Sequence, residues 1–456
     1  MAPMNNLISL TRDLCQIPTG IVADGNEQLF RRIGDELDLE LFDFPSGSEH
    51  NGWVIPHKWT VETATIHKDG KLIYDGTQNV LGVAHYSRSF EGRMSLEDLQ
   101  SHLYSLPSLP EAHVFHCTWL YRPWIEDWGL CPPHNLVKSL TPGYYDIRLK
   151  TRTDPGDMLV GHHHKQGRSD KTIFFQSNTC HPYMANDGFA GTAVMIRLFQ
   201  WLATQDTHYS YRLVLGPEHL GTVFYLRDHS RQEIDNYIGG VFGEMMGTDG
   251  DFVVASTFNG DEVLDRAFRH VVKHHTKAHR FLGFRESVGN DETVWEAPGI
   301  EIPCVQVNRF RTHSVPFPEY HTNFDNVDLM DARQLEEFLD VFKKVVDLLE
   351  NNVTMRRRFD GLVALSNPRY DIYRERFDPT KEADTCTSYS SSWGILQDSI
   401  LRYFDGQMSV LDIAEKHDID FFDIHRYVQQ FIEKGLVDAR LDEIDRPRAS
   451  RFDELD

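Results

Sequence analysis

Apolar residues in this chain change their spacing three times, and each change marks a different kind of structure. Asn5 to Cys15 and Gly25 to Leu39 carry apolar positions at helical spacing, with Pro18, Gly20 and Gly25 as breaks between them. From about Gly52 the pattern shortens. Trp53–Pro56, Trp59–Ile66 and Val80–Tyr86 read as strands, with Asp69-Gly70 as a hairpin turn, and Ser95 to Leu106 reads as a short helix begun by a capping serine. Beyond 141 strands and helices alternate, the signature of a sheet with helical crossovers. The strands are expected at Tyr144–Lys150, Asp157–His164, Thr172–Gln176, Arg212–Leu215, Ile238–Phe242, Phe252–Ala255 and Cys304–Val307. The helices are expected at Phe189–Leu202, from Thr222, at Asp261–His275 and at Ala332–Glu350. After a basic, irregular stretch, Trp393–Phe404, Val410–His417 and Phe421–Lys434 read as three helices followed by Gly435-Leu436-Val437, the pattern of a winged helix.

The fold class expected is therefore α/β: a doubly wound mixed sheet built from 1–52 and 141–352, a small mostly-β domain inserted at 53–140, and a linker plus winged helix over 353–456. A length of 456 residues suits two or three domains. The net charge of −23 argues against a general affinity for nucleic acid or anionic membrane. From Thr385 to Asp456 there are 8 Lys+Arg against 15 Asp+Glu, so the winged helix is expected to contact protein, or to support a homo-oligomer, rather than DNA. No signal peptide and no membrane-length apolar run is read. The six scattered cysteines fit free thiols in a cytoplasmic protein.

The chemistry gathers where strands end. His181 and Asp187 lie on the loop after Thr172–Gln176, Glu218 and His219 after Arg212–Leu215, and Glu244 after Ile238–Phe242. Asn290-Asp291-Glu292 precedes Cys304, and His321 and Asp325 precede the long helix. Ligands bind at the carboxyl ends of strands in open α/β sheets, and imidazole with carboxylate suits zinc. The run His162-His163-His164 is different: consecutive strand residues alternate faces and cannot converge on one ion, so a surface strand is expected there.

Taken together, Trp59-Thr60-Val61, Asp127-Trp128-Gly129-Leu130-Cys131, Thr179-Cys180-His181-Pro182, Ala185-Asn186-Asp187, Asp291-Glu292, Ala297-Pro298-Gly299-Ile300 and Glu319-Tyr320-His321-Thr322 resemble zinc-dependent aminopeptidases of the dizinc exopeptidase clan. More closely, they resemble a bacterial aminopeptidase-like subfamily of unassigned function, with an inserted β domain and a C-terminal winged helix, often encoded near polysaccharide or other secondary biosynthesis genes. The resemblance implies one or two zinc ions held by His181, Asp187, Glu244 and His321, with Glu218 as general base and Asp325 supporting a ligand. It departs from the clan at Pro217-Glu218-His219, where two adjacent glutamates are the rule, and from the subfamily at Gln16–Gly20, where an Arg-Ser-rich loop is expected. If Glu218 is the base, His219 would have to replace a missing ligand; if Glu218 is a ligand, the base is missing. Asn290, Asp291 and Glu292 either line the pocket and hold a substrate amine or cap a turn, and Arg309 and Arg311 either grip a carboxylate or are ordinary exposed arginines.

Three functions follow as expectations. The first is a zinc hydrolase cleaving an amide of a small amino-acyl or peptide substrate. The second is an amide- or ester-processing enzyme of secondary-metabolite or polysaccharide biosynthesis on the same site. The third is a catalytically silent scaffold that recruits a partner through the winged helix.

Overall fold

A computed structural model describes residues 4–310, 315–374, 391–447 and 449. The chain divides into two compact units, one of Met1–Gly260 and Arg280–Leu339, the other of Asp261–His279 and Asp340–Pro447.

The first unit is built on an eight-stranded sheet. Its strand order is Glu40–Pro45, Asp157–Lys165, Ser210–Gly216, Thr172–Asn178, Tyr237–Gly243, Cys304–Phe310, Asp251–Ala255 and His279–Leu282. The four central strands, Ser210–Gly216 through Cys304–Phe310, run parallel, and the pairs outside them are antiparallel at Glu40–Pro45, Asp157–Lys165 and Asp251–Ala255. Thr172–Asn178, Tyr237–Gly243 and Cys304–Phe310 are buried at every residue, as parallel strands covered on both faces must be. Thr172–Asn178 lies between the two strands that follow it in sequence. The chain leaves it once to each side, which opens a crevice at its carboxyl end.

The helix Ala190–Leu202 covers the sheet so closely that a Cβ on Gly191 would sit 2.3 Å from the carbonyl oxygen of Gly243, at the end of the adjacent strand. Neither backbone can withdraw without moving the sheet. Gly191→Ala is expected to destabilise the protein by about 1–3 kcal/mol, read as a lower urea midpoint at unchanged slope.

A second, antiparallel sheet has the order Lys71–Asp75, Lys58–Lys68, Tyr144–Asp154 and Phe90–Ser95. Tyr144–Asp154 lies beyond residue 140 in sequence yet pairs with both Lys58–Lys68 and Phe90–Ser95. The alternating burial of its first half puts Tyr145, Ile147 and Leu149 into a core with Ala64, Ile66 and Leu130. Trp128 fills that core, stacked between Phe90 at 4.3 Å and His102 at 4.1 Å. Ser95 caps Leu96–Gln100 as its position predicts, though the helix is shorter than expected. Val80–Tyr86 is not a strand. Asn79 accepts from the Leu81 N–H and Gly82 presses on the Gly76 carbonyl, turning the segment and leaving only the bridge between Val83 and Leu130.

The expected surface strand at His162–His164 also needs correction. Asp157–Lys165 is second from the sheet edge, and Met158 to His162 are buried. The three imidazoles diverge as alternation requires. His162 Nδ1 meets the Tyr225 hydroxyl at 2.7 Å, His163 Nδ1 the Asp38 carbonyl at 2.7 Å, and His164 the Gln166 side chain at 3.0 Å.

Burial, with the charge of Arg212 nearby, pushes His162 down to about 3; Glu40 reaches it at 3.1 Å but is too solvated to reverse this. The unfolded chain therefore takes a proton at this residue near pH 6.5 and the folded chain does not. Its contribution to stability is intact above that pH and is lost as pH falls towards 3. Between pH 6.5 and 4.5 the loss is expected to be about 2–3 kcal/mol, and His162→Gln should make the denaturation midpoint fall less steeply over that range.

The second unit pairs a three-stranded antiparallel sheet, ordered Asp405–Ser409, Val353–Arg357 and Val437–Leu441, with the helices Ser392–Tyr403, Val410–His417 and Phe421–Glu433. Each helix is capped by its preceding residue, Ser391, Ser409 or Asp420. Arg266 on Val263–His275 pairs with Asp412 at 2.6 Å and Glu415 at 2.5 Å. No helix among the described residues is long and apolar enough to cross a membrane.

Candidate metal centre

At the carboxyl end of Thr172–Asn178 the chain makes a tight turn before its helix. The turn Ala185–Phe189 is a single π-type turn, with Asp187 at φ −82°, ψ 54° and Gly188 at φ 137°. A side chain on Gly188 would meet Met184 in a backbone region that L-residues avoid. The turn aims Asp187 back over the strand end. Asp325 fixes it there, its two oxygens accepting from the Asn186 N–H at 2.8 Å and the Asp187 N–H at 3.0 Å. The contact of Asp325, expected to support a ligand, is thus with the backbone of Asp187 rather than with its carboxylate.

His181 Nε2 stands 3.2 Å from Asp187 Oδ2, and His321 Nε2 stands 3.3 Å from the same oxygen. One ligand atom from each of the three lies within 4.8 Å of the others, the set among the described residues able to hold a metal ion. Burial works against charge on Asp187, but the bonds to His181 and His321 outweigh it and hold the carboxyl below its usual range.

Both rings are braced by aromatics that sequence reasoning missed. Phe115 stacks on His181 at 4.3 Å, and Tyr320 on His321 at 3.8 Å. The Phe115 N–H donates to the His321 carbonyl at 2.7 Å. Only the Tyr320-His321 neighbourhood could have hinted at this; Phe115 is far from both histidines in sequence.

Glu244 is fully buried at the end of Tyr237–Gly243, outside the three-atom set, with Asn290 Nδ2 3.3 Å from each of its oxygens. Burial, then repulsion from Asp187 and Glu218, pushes its carboxyl well above the ordinary range. Glu218 follows Ser210–Gly216 and keeps 29% side-chain exposure. Burial of its carboxyl moves it up to about 7; His219 opposes the shift, while Asp291 and Asp187 add to it. Asp187, Glu218 and Glu244 thus repel one another with no Lys or Arg partner among the described residues, a charge balance that a divalent cation would correct.

His219 has φ 53° and ψ −61°, an uncommon conformation for a non-glycine residue. Asp291 holds it by accepting from its N–H at 2.5 Å and standing 2.9 Å from Nδ1, while Nε2 faces Glu218 at 3.6 Å. Burial disfavours its charge, but the pairing with Asp291 prevails and lifts it to about 9.

Three of the five expected substrate contacts resolve differently. Asp291 is fully enclosed and also accepts from Thr222 at 2.7 Å and from Gln176, so it braces the His219 turn and has no face for a substrate amine. Glu292 accepts from the Asn290 N–H at 2.7 Å and from Arg285 at 3.2 Å. Asn290 alone of the three turns towards the centre, linking Glu244 to Asn178. Arg309 is buried, donating to the Gly250 carbonyl at 2.8 Å and paired with Glu337, so it cannot grip a substrate carboxylate. Arg311 lies outside the described residues.

Parallel strands in this order, with two histidines and an aspartate meeting at their carboxyl ends, make up the zinc-aminopeptidase fold. The zinc aminopeptidase of Bacillus subtilis shares it at a TM-score of 0.57, with 14% identity, 75% of this chain and 94% of that one covered. A crystallised Clostridium acetobutylicum protein described as a peptidase matches at a TM-score of 0.79, with 23% identity and 96% of each chain covered. Residues 8–352 match the model of a domain of unknown function, DUF4910, and the chain belongs to that family. A C. acetobutylicum relative, 25% identical over 426 residues that cover 91% of this chain and 92% of that one, bears a name joining polysaccharide biosynthesis to an aminopeptidase-like domain.

Proposed function

We propose that the protein is a zinc-dependent hydrolase of aminopeptidase type, cleaving the amide bond of a small amino-acyl or peptide substrate. The observation that carries this is the convergence of His181, Asp187 and His321 within 4.8 Å, beside a Glu218 carboxyl raised to about 7. His181, Asp187 and His321 would hold the metal, with Glu244 able to join them. Zinc bound there would polarise the scissile carbonyl and acidify water. Glu218 takes the proton from the attacking water and delivers it to the leaving amine. His219, anchored by Asp291, keeps Glu218 aimed into the cleft. Asn290 orients Glu244. One ion needs no second glutamate, so the Pro217-Glu218-His219 departure is compatible with turnover.

Zinc analysis of the purified chain, paired with a panel of amino-acyl p-nitroanilides, tests the reading. About one zinc per chain and chelator-sensitive release of the anilide are expected. Metal without release of any anilide would favour the second reading, an amide or ester of a polysaccharide intermediate as substrate, which the name of the Clostridium relative supports. Absence of zinc after reconstitution would sink both. The C-terminal unit is taken as a winged helix for protein contact, and the protein as cytoplasmic.

A further inference from the structure

A second concave site lies beside the antiparallel sheet of the first unit, and none of its residues belongs to the metal centre. A cavity of about 190 Å³ is walled by Trp59, Tyr86 and Trp119, with Arg88, Arg122 and Thr153 completing it. The Trp59 indole N–H donates to the Ser87 carbonyl at 2.9 Å, and its ring stacks on Tyr86 at 6.0 Å and 30°. Tyr86 is held at φ 65°, in the left-handed region that bulky residues seldom enter and that persists where surroundings impose it, often at ligand clamps.

The polar groups around these rings are underused. Arg122 has no side-chain hydrogen bond and no ion pair among the described residues. Arg88 has a single side-chain bond, to the Pro123 carbonyl at 3.3 Å, and no carboxylate partner. The Tyr86 and Thr153 hydroxyls have no hydrogen-bond partner among the described residues. In a chain of net charge −23, where acidic groups are plentiful, two guanidiniums at one cavity without a carboxylate partner among the described residues are unusual.

We propose that this cavity binds an acidic monosaccharide unit, a single sugar ring bearing a carboxylate or phosphate. The guanidinium fork matches both anions in a planar, two-bonded geometry. The aromatic walls take the apolar face of the ring, and the free hydroxyls take its hydroxyl groups. The volume is below the roughly 300–1,000 Å³ of sites for drug-sized ligands, which limits the occupant to about one ring. The proposal stands independently of the hydrolase reading, since it needs no metal and no turnover.

Calorimetric titration of the full chain tests it, with glucuronate and glucose 6-phosphate as probes against glucose, benzoate and inorganic phosphate. Saturable binding of at least one acidic sugar is expected, about ten-fold tighter than glucose or phosphate alone. Which acidic sugar binds tells carboxylate from phosphate recognition. Arg88→Ala and Arg122→Ala, both at exposed residues, should each weaken it several-fold without changing the melting temperature. Four outcomes overturn the proposal: no saturable binding; phosphate binding as tightly as the sugar phosphate, which makes it an anion site only; benzoate binding more tightly than either sugar; or full binding by the double variant, which places the ligand elsewhere.

Discussion

Glu218→Gln is expected to leave zinc in place and to lower turnover by about 10²–10⁴-fold, the range a general base contributes. Glutamine keeps the shape and fills the same cleft, so the Ser210–Gly216 strand end and the His219–Asp291 brace should be undisturbed. What it loses is the ability to accept a proton. On the proposed mechanism the unsubstituted protein works with Glu218 ionised, so kcat/KM should rise with pH along an acid limb. Burial places the carboxyl near 7 without metal, and a bound cation draws it lower, so the limb should lie at or below 7. Glu218→Gln should flatten that limb. Zinc content measured alongside decides between the two roles the sequence left open. A fall in turnover with full zinc makes Glu218 the base, a fall in both makes it a ligand, and unchanged turnover removes it from the mechanism.

Asp187→Ala should have the second large effect, on metal before chemistry. Its Oδ2 is shared by His181 and His321, so its loss removes one ligand and the partner that fixes both rings. Losing a mere supporting partner weakens metal binding by about 10–100-fold, and losing a ligand with that support should exceed the upper figure. The metal-free protein should respond less. Removing Asp187 relieves its repulsion with Glu244 but also takes away the carboxylate that His181 and His321 hold, so the apo form should be modestly less stable. Thermal melts with and without zinc would show a wide gap for the natural chain and almost none for the variant. A variant that binds zinc with unchanged affinity would place the metal elsewhere.

These two residues were legible in the sequence because their position follows from topology. A strand read at Thr172, another at Arg212 and a third at Ile238, joined by helices, must bring their exits to one edge, whatever the side chains do later. The missed contacts depend on where the side chains end up. Asp291 and Glu292 share loop, charge and spacing with residues that do face the cleft, and only the folded chain shows four donors meeting Asp291 from Gln176, His219 and Thr222. Arg309 lies at a strand end as a binding residue would, but Glu337 meets it there. Val80–Tyr86 has the apolar density of a strand, and nothing local announces that Gly82 will press against Gly76. Phe115 reaches His181 across 66 residues of chain, a contact with no period to betray it.

The central placement of Thr172–Asn178 also bears on the order in which the molecule forms. This strand cannot acquire its neighbours until Ser210–Gly216 and Tyr237–Gly243 have been made, and parallel pairings of that separation carry a large loop-closure cost. His181 and Asp187 are ready as soon as their loop is, but His321 arrives about 130 residues later in the chain. A nascent polypeptide ending before Glu319 offers two of the three proposed ligands. On the proposed zinc centre, metal capture would be a late event in biogenesis, and bound zinc would report that the sheet has been completed.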